Sequence, residues 1–476
     1  MTATEGASRA GEVVAGAGSA LTVGERYPLD YMDRGCLVAM SREHGCSNAP
    51  TWEFGVRGSL DPEACRRALQ DLMCRYPICR SRIRPTDPRR ASSVSLCYAV
   101  DEPYEVSELF TYVDLEGQPE TALEELRRSV RDRYLDPFVR YPFHLTLARL
   151  SDDACRLIFQ QHHAIADARA FISLLEDFGE LLEHAIQGTR PAPEKLANYG
   201  KHSELEALRI GRGRAFWWAL QGLWVWARVT IHSLRNPIEP SIQNLSKDYT
   251  GSNGTVHLEI ESKRLDEWKT LRHRHGVSLT ALLASAFFLA NRRWNVEHGV
   301  PQGNAKVSLI AETRPREGDF QSFANHLGGL FGELSMRDEP DPLEMMRSLH
   351  EQLRRQVRND EHKKRLLFER VLTRFVPIEV MRKAVFEVDP TMNLNFSNVI
   401  AIDFPRLEGR TWCAEDVWIT TPTMPPFGVL LTVVDYNGQL RFNFNHKASI
   451  VTRPQAARLV ELFEAALGEV TEALAR

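Results

Sequence analysis

Along the 476-residue chain the spacing of apolar residues switches repeatedly between a period near two and a period near 3.6, so the chain alternates strands with helices. In EFGVRGSLDPEACRRALQDLMCRYP, residues 53–77, an extended run ends in a turn at Gly58–Pro62. Ala64, Ala68, Leu69, Leu72 and Met73 then fall on one helical face. Asp61 before Pro62 marks the helix start, because its carboxylate can accept from free amides and proline is tolerated at the first helical position. RYPFHLTLARL and RLIFQQ, separated by SDDA and one cysteine, predict a hairpin that runs into QQHHAIADARAF. From Ala168 the apolar positions Phe171, Leu174, Leu175, Phe178, Leu181 and Leu182 have helical spacing, so the histidine pair sits at a strand-to-helix junction.

In the second half TVHLEIES alternates like a strand, and SLTALLASAFFLANRRW predicts a buried helix with Ser278 as its cap. Residues from Pro342 to Lys383 have a helical, heavily charged pattern, within which RRQVRNDEHKKR predicts a solvated face or a basic rim able to attract an anionic group. TMNLNFSNVIAID and FGVLLTVVDYNGQLRFNFNH predict strands, the latter a hairpin about Asn437-Gly438, and a last helix begins near Pro454. Proline-rich and polar breaks at 187–202 and 236–255 divide this order in two. The pattern predicts a two-lobed α/β protein with mixed sheets: a disordered tail over 1–22, an amino-terminal lobe over 23–190, a linker with a tryptophan-rich helix over 191–250, and a carboxy-terminal lobe over 251–476.

The linker helix, FWWALQGLWVWARVTIHSL, is interrupted by Gln221, Arg228 and His232, which excludes an ordinary transmembrane span. Three places suit it. It can line a pocket for a hydrophobic group, lie on a membrane surface with Arg228, His232 and Arg235 on the wet side, or pack as a core helix between the lobes.

Charge narrows the partners. A net charge of -4 leaves no basic footprint for neutralising a phosphate backbone, so nucleic acid is not expected. The eight cysteines form no CxxC pair and are irregularly spaced, as buried thiols of a reducing compartment are, and the expected location is the cytoplasm. The chain has no GxSxG elbow, phosphate-binding loop, HExxH helix or glycine-rich dinucleotide turn.

The histidine pair is the strongest candidate for chemistry. Imidazole accepts and returns a proton near neutral pH, which suits His163 to general base work. Histidines that only bond the turn fit the same residues, and Asp167 has a structural use as the cap of the helix beginning at Ala168.

HHAIADA at 162–168 resembles the HHxxxDG motif of the acyltransferases that share the chloramphenicol acetyltransferase-like fold, a superfamily that includes the condensation domains of nonribosomal peptide synthetases and their stand-alone relatives. It matches at His162, His163 and Asp167 and departs at Ala168, where the family has glycine. The segment EFGVRGSLDPEACRRALQDLMCRYPICRSRI, with Tyr76, Pro77 and Arg80, is similar to the family's opening strand and helix, and RYLDPFVRYPFHLTLARL to the approach to the motif. SLIAETRPRE, NHLGGLFGEL and NLNFSN are similar to later blocks in the family's order, so the resemblance runs from about residue 25 to the C-terminus.

The resemblance implies two chloramphenicol acetyltransferase-like lobes with a central tunnel and His163 at its middle. It implies transfer of an acyl group from a thioester, on coenzyme A or on the phosphopantetheine arm of an acyl or peptidyl carrier protein, to a small alcohol or amine in natural-product assembly. His163 is then the general base, His162 its support, and Asp167 pairs with Arg314; Ala168, Asn325, Ser397 and Asn398 fall on the tunnel, with turn capping an equal use for Asn325, Ser397 and Asn398. No tightly bound cofactor and no metal are implied, and a monomer is expected. Two further functions fit the residues: a non-catalytic relative that binds a carrier protein or acyl ligand, motivated by Ala168, and a membrane-associated, wax-ester-synthase-like transferase of long acyl chains, motivated by the tryptophans.

Overall fold

The hairpin leading to the histidine pair forms the middle of a five-stranded sheet. The structure, a computed structural model, describes residues 25–41, 47–86, 95–100, 103–239, 241–315, 320–387, 392–400, 402 and 404–476. The expected tail over 1–22, and Cys46, lie outside the described residues. The amino-terminal lobe contains β1 (Arg26–Pro28), α1 (Tyr31–Val38), β2 (Thr51–Arg57), α2 (Pro62–Arg75), β3 (Ser81–Pro85), β4 (Leu96–Val100), β5 (Phe110–Asp114), α3 (Glu120–Arg131), β6 (Phe143–Ser151), β7 (Ala154–Gln161) and α4 (Ala168–Gln187). Two single-turn helices, α5 (Pro193–Leu196) and α6 (Glu204–Ala207), precede the long α7 (Arg212–Arg235). The carboxy-terminal lobe begins with β8 (Asn253–Glu261), α8 (Lys263–His275), α9 (Leu279–Glu297), β9 (Asn304–Glu312) and β10 (Leu327–Ser335). It continues through α10 (Pro342–Arg358), α11 (Glu361–Thr373), α12 (Ile378–Glu387), β11 (Leu394–Asn398), β12 (Cys413–Thr420), β13 (Val429–Tyr436), β14 (Gln439–Lys447) and α13 (Arg453–Ala475).

Both main sheets are mixed. The first has the order β12-β2-β7-β6-β5, with β5 parallel to β6; the second has the order β10-β9-β11-β13-β14-β8, with β11 parallel to both neighbours. A small antiparallel sheet, β1-β4-β3, completes the amino-terminal lobe. Strand β12 comes late in the chain but pairs with β2, from Cys413 opposite Arg57 to Thr420 opposite Thr51. Its Val417 and Ile419 join the core of the amino-terminal lobe. Chain order alone assigns β12 to the other lobe; the unpaired backbone along the edge of β2 is what draws it across.

The elements form for the reasons their residues supply. Asp61 accepts from the amides of Glu63 and Ala64 at the start of α2, and Ser278 from Ala281 at the start of α9. The six apolar residues of α4 named above are all buried against the first sheet, where Phe171 meets Trp52 at 5.0 Å and Phe178 meets Phe159 at 5.1 Å between ring centroids. The charged stretch from Pro342 is three helices, and Asp360, in the left-handed region at φ 51°, makes the break between the first two. The end of RRQVRNDEHKKR is not the solvated face expected of it: Glu361, His362 and Arg365 are buried, because α11 packs between α7 and β10.

The tryptophan-rich helix α7 is not a core helix. It touches α11 at Gly222, where a Cβ would stand 2.1 Å from the Lys364 carbonyl, and only Gly222 and Val225 are buried. Arg228 pairs with Glu361 at 2.7 Å and His232 with Glu333 at 3.1 Å, so two of the three polar groups expected on the wet side meet the protein, while Arg235 is exposed. The aromatic side faces out, with Trp224 70% and Leu234 77% exposed. Packing α7 through glycine allows backbones to approach closely but leaves the large side chains no room on that side. Among the described residues no helix is long and apolar enough to cross a membrane.

Candidate active site

The pairing of β2 with β7 continues past the end of both strands and thereby places the motif. Gln161 donates to the Pro50 carbonyl at 3.2 Å, and His163 to the Asn48 carbonyl at 2.9 Å, the same alternation as in the strands. His162 donates to Pro142 at 2.7 Å on the other side. The chain then turns, with Ile165 donating to the His162 carbonyl, and enters α4 at Ala168.

Asp167 is both the helix cap and an ion-pair partner. One carboxylate oxygen accepts from the Ala170 amide at 3.0 Å and Arg314 at 3.0 Å; the other accepts from Arg314 at 2.8 Å and the His326 amide at 2.8 Å. Burial by itself raises a carboxyl, but the Arg314 guanidinium and these donors hold Asp167 below its ordinary value. Arg314 is also bonded to the carbonyl of Ala324 at 3.0 Å, so it ties the motif to the segment before β10. The two structural uses of Asp167 therefore coexist in one side chain.

Asn325, expected on the tunnel wall, does not line the cavity beside His163. Its amide is fully buried and donates to the carbonyls of His163 at 2.8 Å and Ala164 at 3.0 Å and to Asp33 at 3.1 Å. A side chain whose donors all bond the turn is a tether, and no donor is left for a ligand. Tyr98 adds a fourth constraint, donating to the Ala164 carbonyl at 2.5 Å. Behind it Asp33 pairs with Lys201 at 2.8 Å, both almost fully buried. The sequence reading missed Asn48, Tyr98, Asp33 and Lys201, which carry no motif of their own; only a contact map brings them to the turn.

The two histidines differ. His162 is fully buried and its Nδ1 accepts from the Ala164 amide at 3.1 Å. Burial, with a smaller effect of His163, pushes it down to about 3, so it is neutral and supports the turn. His163 lines the cavity. Burial disfavours its charged form, but the charge and hydrogen bond of the adjacent Cys36 side chain, its own carbonyl and Asp167 outweigh burial and push it up to about 9.

The cavity has a volume of about 470 Å³ and lies between the lobes. The amino-terminal lobe contributes Cys36, Asn48, His163 and Ala168; the other contributes Leu309, Phe396, Ser397 and Asn398 among others. Of these Asn398 is partly committed, donating to Thr280 at 3.3 Å and accepting from the Ile400 amide at 3.1 Å. Ala168 is the first residue of α4 and is not among the positive-φ residues, so the methyl group replaces glycine there without backbone strain. A largely apolar cavity with one imidazole in its wall, and with Asp167, Arg169, Glu312 and Arg314 also lining it, can hold an acyl chain against a proton-transfer group.

Residues 24–475 match the family model of the Condensation domain. Bacitracin synthase 3 of Bacillus licheniformis is 21% identical over 338 residues, which is 67% of this chain; the match spans 5% of that much longer protein. Among solved structures, the first condensation domain of the calcium-dependent antibiotic synthetase, in complex with a substrate analogue, superposes with a TM-score of 0.68 at 14% identity and covers 95% of this chain and 96% of its own. The starter condensation domain of rhizomide synthetase, in complex with C8-CoA, superposes with a TM-score of 0.67 at 14% identity, covering 95% of each chain.

Proposed function

The chain belongs to the condensation-domain family, with its chloramphenicol acetyltransferase-like fold, and from that premise we propose that it transfers an acyl group from a thioester to an alcohol or amine, with His163 handling the acceptor's proton. Members of this family form amide or ester bonds from carrier-protein or coenzyme A thioesters. The observation that carries the reading is the placement of His163. Its turn is fixed by Asn48, Tyr98, Asn325 and the Asp167–Arg314 pair, and its ring opens on a cavity shared by the two lobes. Rigid support of a proton-transfer group beside the bound thioester is what attack on its carbonyl requires.

In this mechanism the donor thioester lies in the cavity with its carbonyl carbon near His163, and the acceptor approaches from the other side. His163, when neutral, removes the acceptor's proton as the new C–O or C–N bond forms, and returns it to the departing thiol sulfur. His162 and Asp167 keep the turn in place and touch no substrate. No cofactor beyond the thioester is needed, and the reaction suits a monomer in the cytoplasm. The test is a panel of acyl-CoA thioesters and pantetheine-loaded carrier proteins incubated with simple alcohols and amines, read by mass spectrometry. Acyl products that depend on His163 support the reading; tight acyl-CoA binding with no product would instead favour a protein that binds and positions an acyl ligand.

Ala168 does not favour that non-catalytic role. Ala168→Gly is expected to leave transfer within about twofold and to cost up to about 1 kcal/mol of stability, since the backbone there is ordinary helix. A large gain in rate would instead mean that the methyl obstructs the cavity.

A contact with an anionic lipid surface is favoured by α7. Phe216, Trp217, Leu220, Trp224, Ile231 and Leu234 form an exposed stripe at helical spacing. The helix has no acidic residue, and exposed Arg212, Arg214 and Arg235 stand at its ends. Aromatic side chains flanked by arginine suit the headgroup region of a negatively charged bilayer. The protein is expected to sediment with vesicles containing phosphatidylglycerol, and the Trp217→Ala, Trp224→Ala double variant to remain in solution. A concentration-dependent dimer by light scattering, with no vesicle binding, would assign the face to a second copy of the chain and overturn the lipid contact.

A further inference from the structure

We propose that Lys201, in the segment linking the two lobes, is a positioning residue for His163 and holds the motif turn through Asp33, Asn325 and Tyr98. The proposal rests on the acyltransferase reading and assigns a further residue to it. The Lys201 Nζ donates to Asp33 Oδ2 at 2.8 Å, with the two side chains 3% and 0% exposed. Asp33 Oδ1 accepts from Asn325 Nδ2 at 3.1 Å, and the same amide donates to the carbonyls of His163 and Ala164. A second route is shorter. The Lys201 ammonium lies 5.6 Å from the centre of the Tyr98 ring, within cation–π range, and the Tyr98 hydroxyl donates to the Ala164 carbonyl. Both side chains that hold the Ala164 carbonyl are therefore backed by one ammonium.

Asp33 also sets the opposite side of the cavity. Its Oδ2 accepts from the Asp30 amide at 3.0 Å and so closes the first turn of α1, the helix that brings Met32, Gly35 and Cys36 to the cavity lined by His163. Lys201 thus fixes both the turn and the helix across from it.

The linker is itself tied to the segment that carries Asn325. Gly200, at φ 81°, accepts through its carbonyl from the Phe323 amide at 3.1 Å, and the His202 amide donates to Ser322 Oγ at 3.0 Å. Lys201 lies between these two bonds. Its ammonium reaches Asp33 of the amino-terminal lobe from a backbone clipped to the carboxy-terminal one.

An apolar pair of similar volume often stabilises a fold as well as a buried ion pair does, because both charges must leave water. The ion pair adds direction. Burial disfavours the charge on Lys201, but Asp33 and Asp30 outweigh it and hold the ammonium above its ordinary value, so it stays charged through neutral pH. A charge with a fixed acceptor has one low-energy place, and the groups bonded to that acceptor share it.

The test uses the full chain in two forms, Lys201→Met and the double variant Asp33→Asn, Lys201→Met. The single change leaves Asp33 buried beside Asp30 and Glu204, with Arg370 3.6 Å from Asp30 and 3.7 Å from Glu204, and should lower the melting temperature. The double change removes both charges of the pair and should fold even if the single one does not. With octanoyl-CoA as donor and 1-octanol or octylamine as acceptor, kcat is expected to fall by about 10 to 10² in both, with KM for octanoyl-CoA within about twofold. In an Asn325→Ala, Tyr98→Phe background Lys201→Met should change kcat by less than about threefold, because both routes to the turn are gone. The imidazole Cε1–H NMR signal of His163, identified by its loss in His163→Ala, should shift or broaden in both Lys201 variants without substrate. A lower melting temperature with kcat within about threefold of the unaltered protein and the His163 signal unmoved would leave Lys201 a structural residue only and overturn the proposal. A further loss of about tenfold or more in the Asn325→Ala, Tyr98→Phe background would also overturn it, since Lys201 would then act by another path. If the unaltered protein forms no product, the acyltransferase reading fails, and the His163 signal still decides whether Lys201 places the ring.

Discussion

The His163→Ala protein is expected to fold normally and to lose about 10² to 10⁴ of its acyl-transfer rate, the contribution of a positioned proton-transfer group. Folding should survive because the motif turn is held by backbone groups and by neighbours of His163. The His163 amide to Asn48 and the Asn325 bonds to the carbonyls of His163 and Ala164 do not involve the imidazole. The measurement is product formation from acyl-CoA at saturating acceptor, together with a thermal melt. Transfer at the full rate by His163→Ala would remove the residue from the chemistry. A parallel His162→Ala protein should lose stability as well as rate, since the Nδ1 bond to Ala164 is part of the turn.

Arg314→Ala should be the most destabilising single change in the site. Asp167 would keep its bonds to Ala170 and His326 but lose a bidentate partner while 2% exposed. Breaking a buried pair by removing one member costs about 3–5 kcal/mol, because the remaining charge stays buried. The expected readout is a lower denaturant midpoint with an unchanged slope, and transfer lost in proportion to misplacement of His163. Arg314→Lys should restore only part of the stability, since an ammonium cannot make both in-plane bonds. The pH dependence has a definite sign. Asp167 is held below its unfolded value, so its contribution is full above the ordinary carboxylate range and disappears as pH falls through its folded value. In Arg314→Ala that acid-side loss of stability should shrink.

Much of the site could be read from the chain, and the parts that could not share one cause. Residues 160–171 show a strand giving way to a helix, and the hydrophobic spacing of α4, the Asp61 and Ser278 caps and the Asn437-Gly438 hairpin are local features that become local structure. Arg314 was found because the family resemblance pointed to it. An asparagine near a site has no sequence signature separating ligand from turn tether, so both uses stay open for Asn325 in the sequence; in the structure its amide bonds the motif turn and Asp33. Asn48 lies more than a hundred residues before His163, and nothing local in the chain marks it as the residue whose carbonyl accepts from the His163 amide. The outward tryptophans of α7 escaped for a different reason. Periodicity shows that one face is apolar, but a glycine on the other face determines which side the protein takes.

Strand β12 has a consequence for how the protein is made. The Gly55 amide donates to Asp416 at 2.7 Å across 361 residues of sequence, and Arg156 meets the same carboxylate. As the ribosome delivers the chain, β2 therefore waits with an open edge until Thr420 has emerged. Closing such a long loop carries an entropic cost and makes assembly of this sheet a late event. The two halves are thus not autonomous folding units: a fragment ending at residue 250 lacks the last strand of its own sheet and presents β2 to other chains.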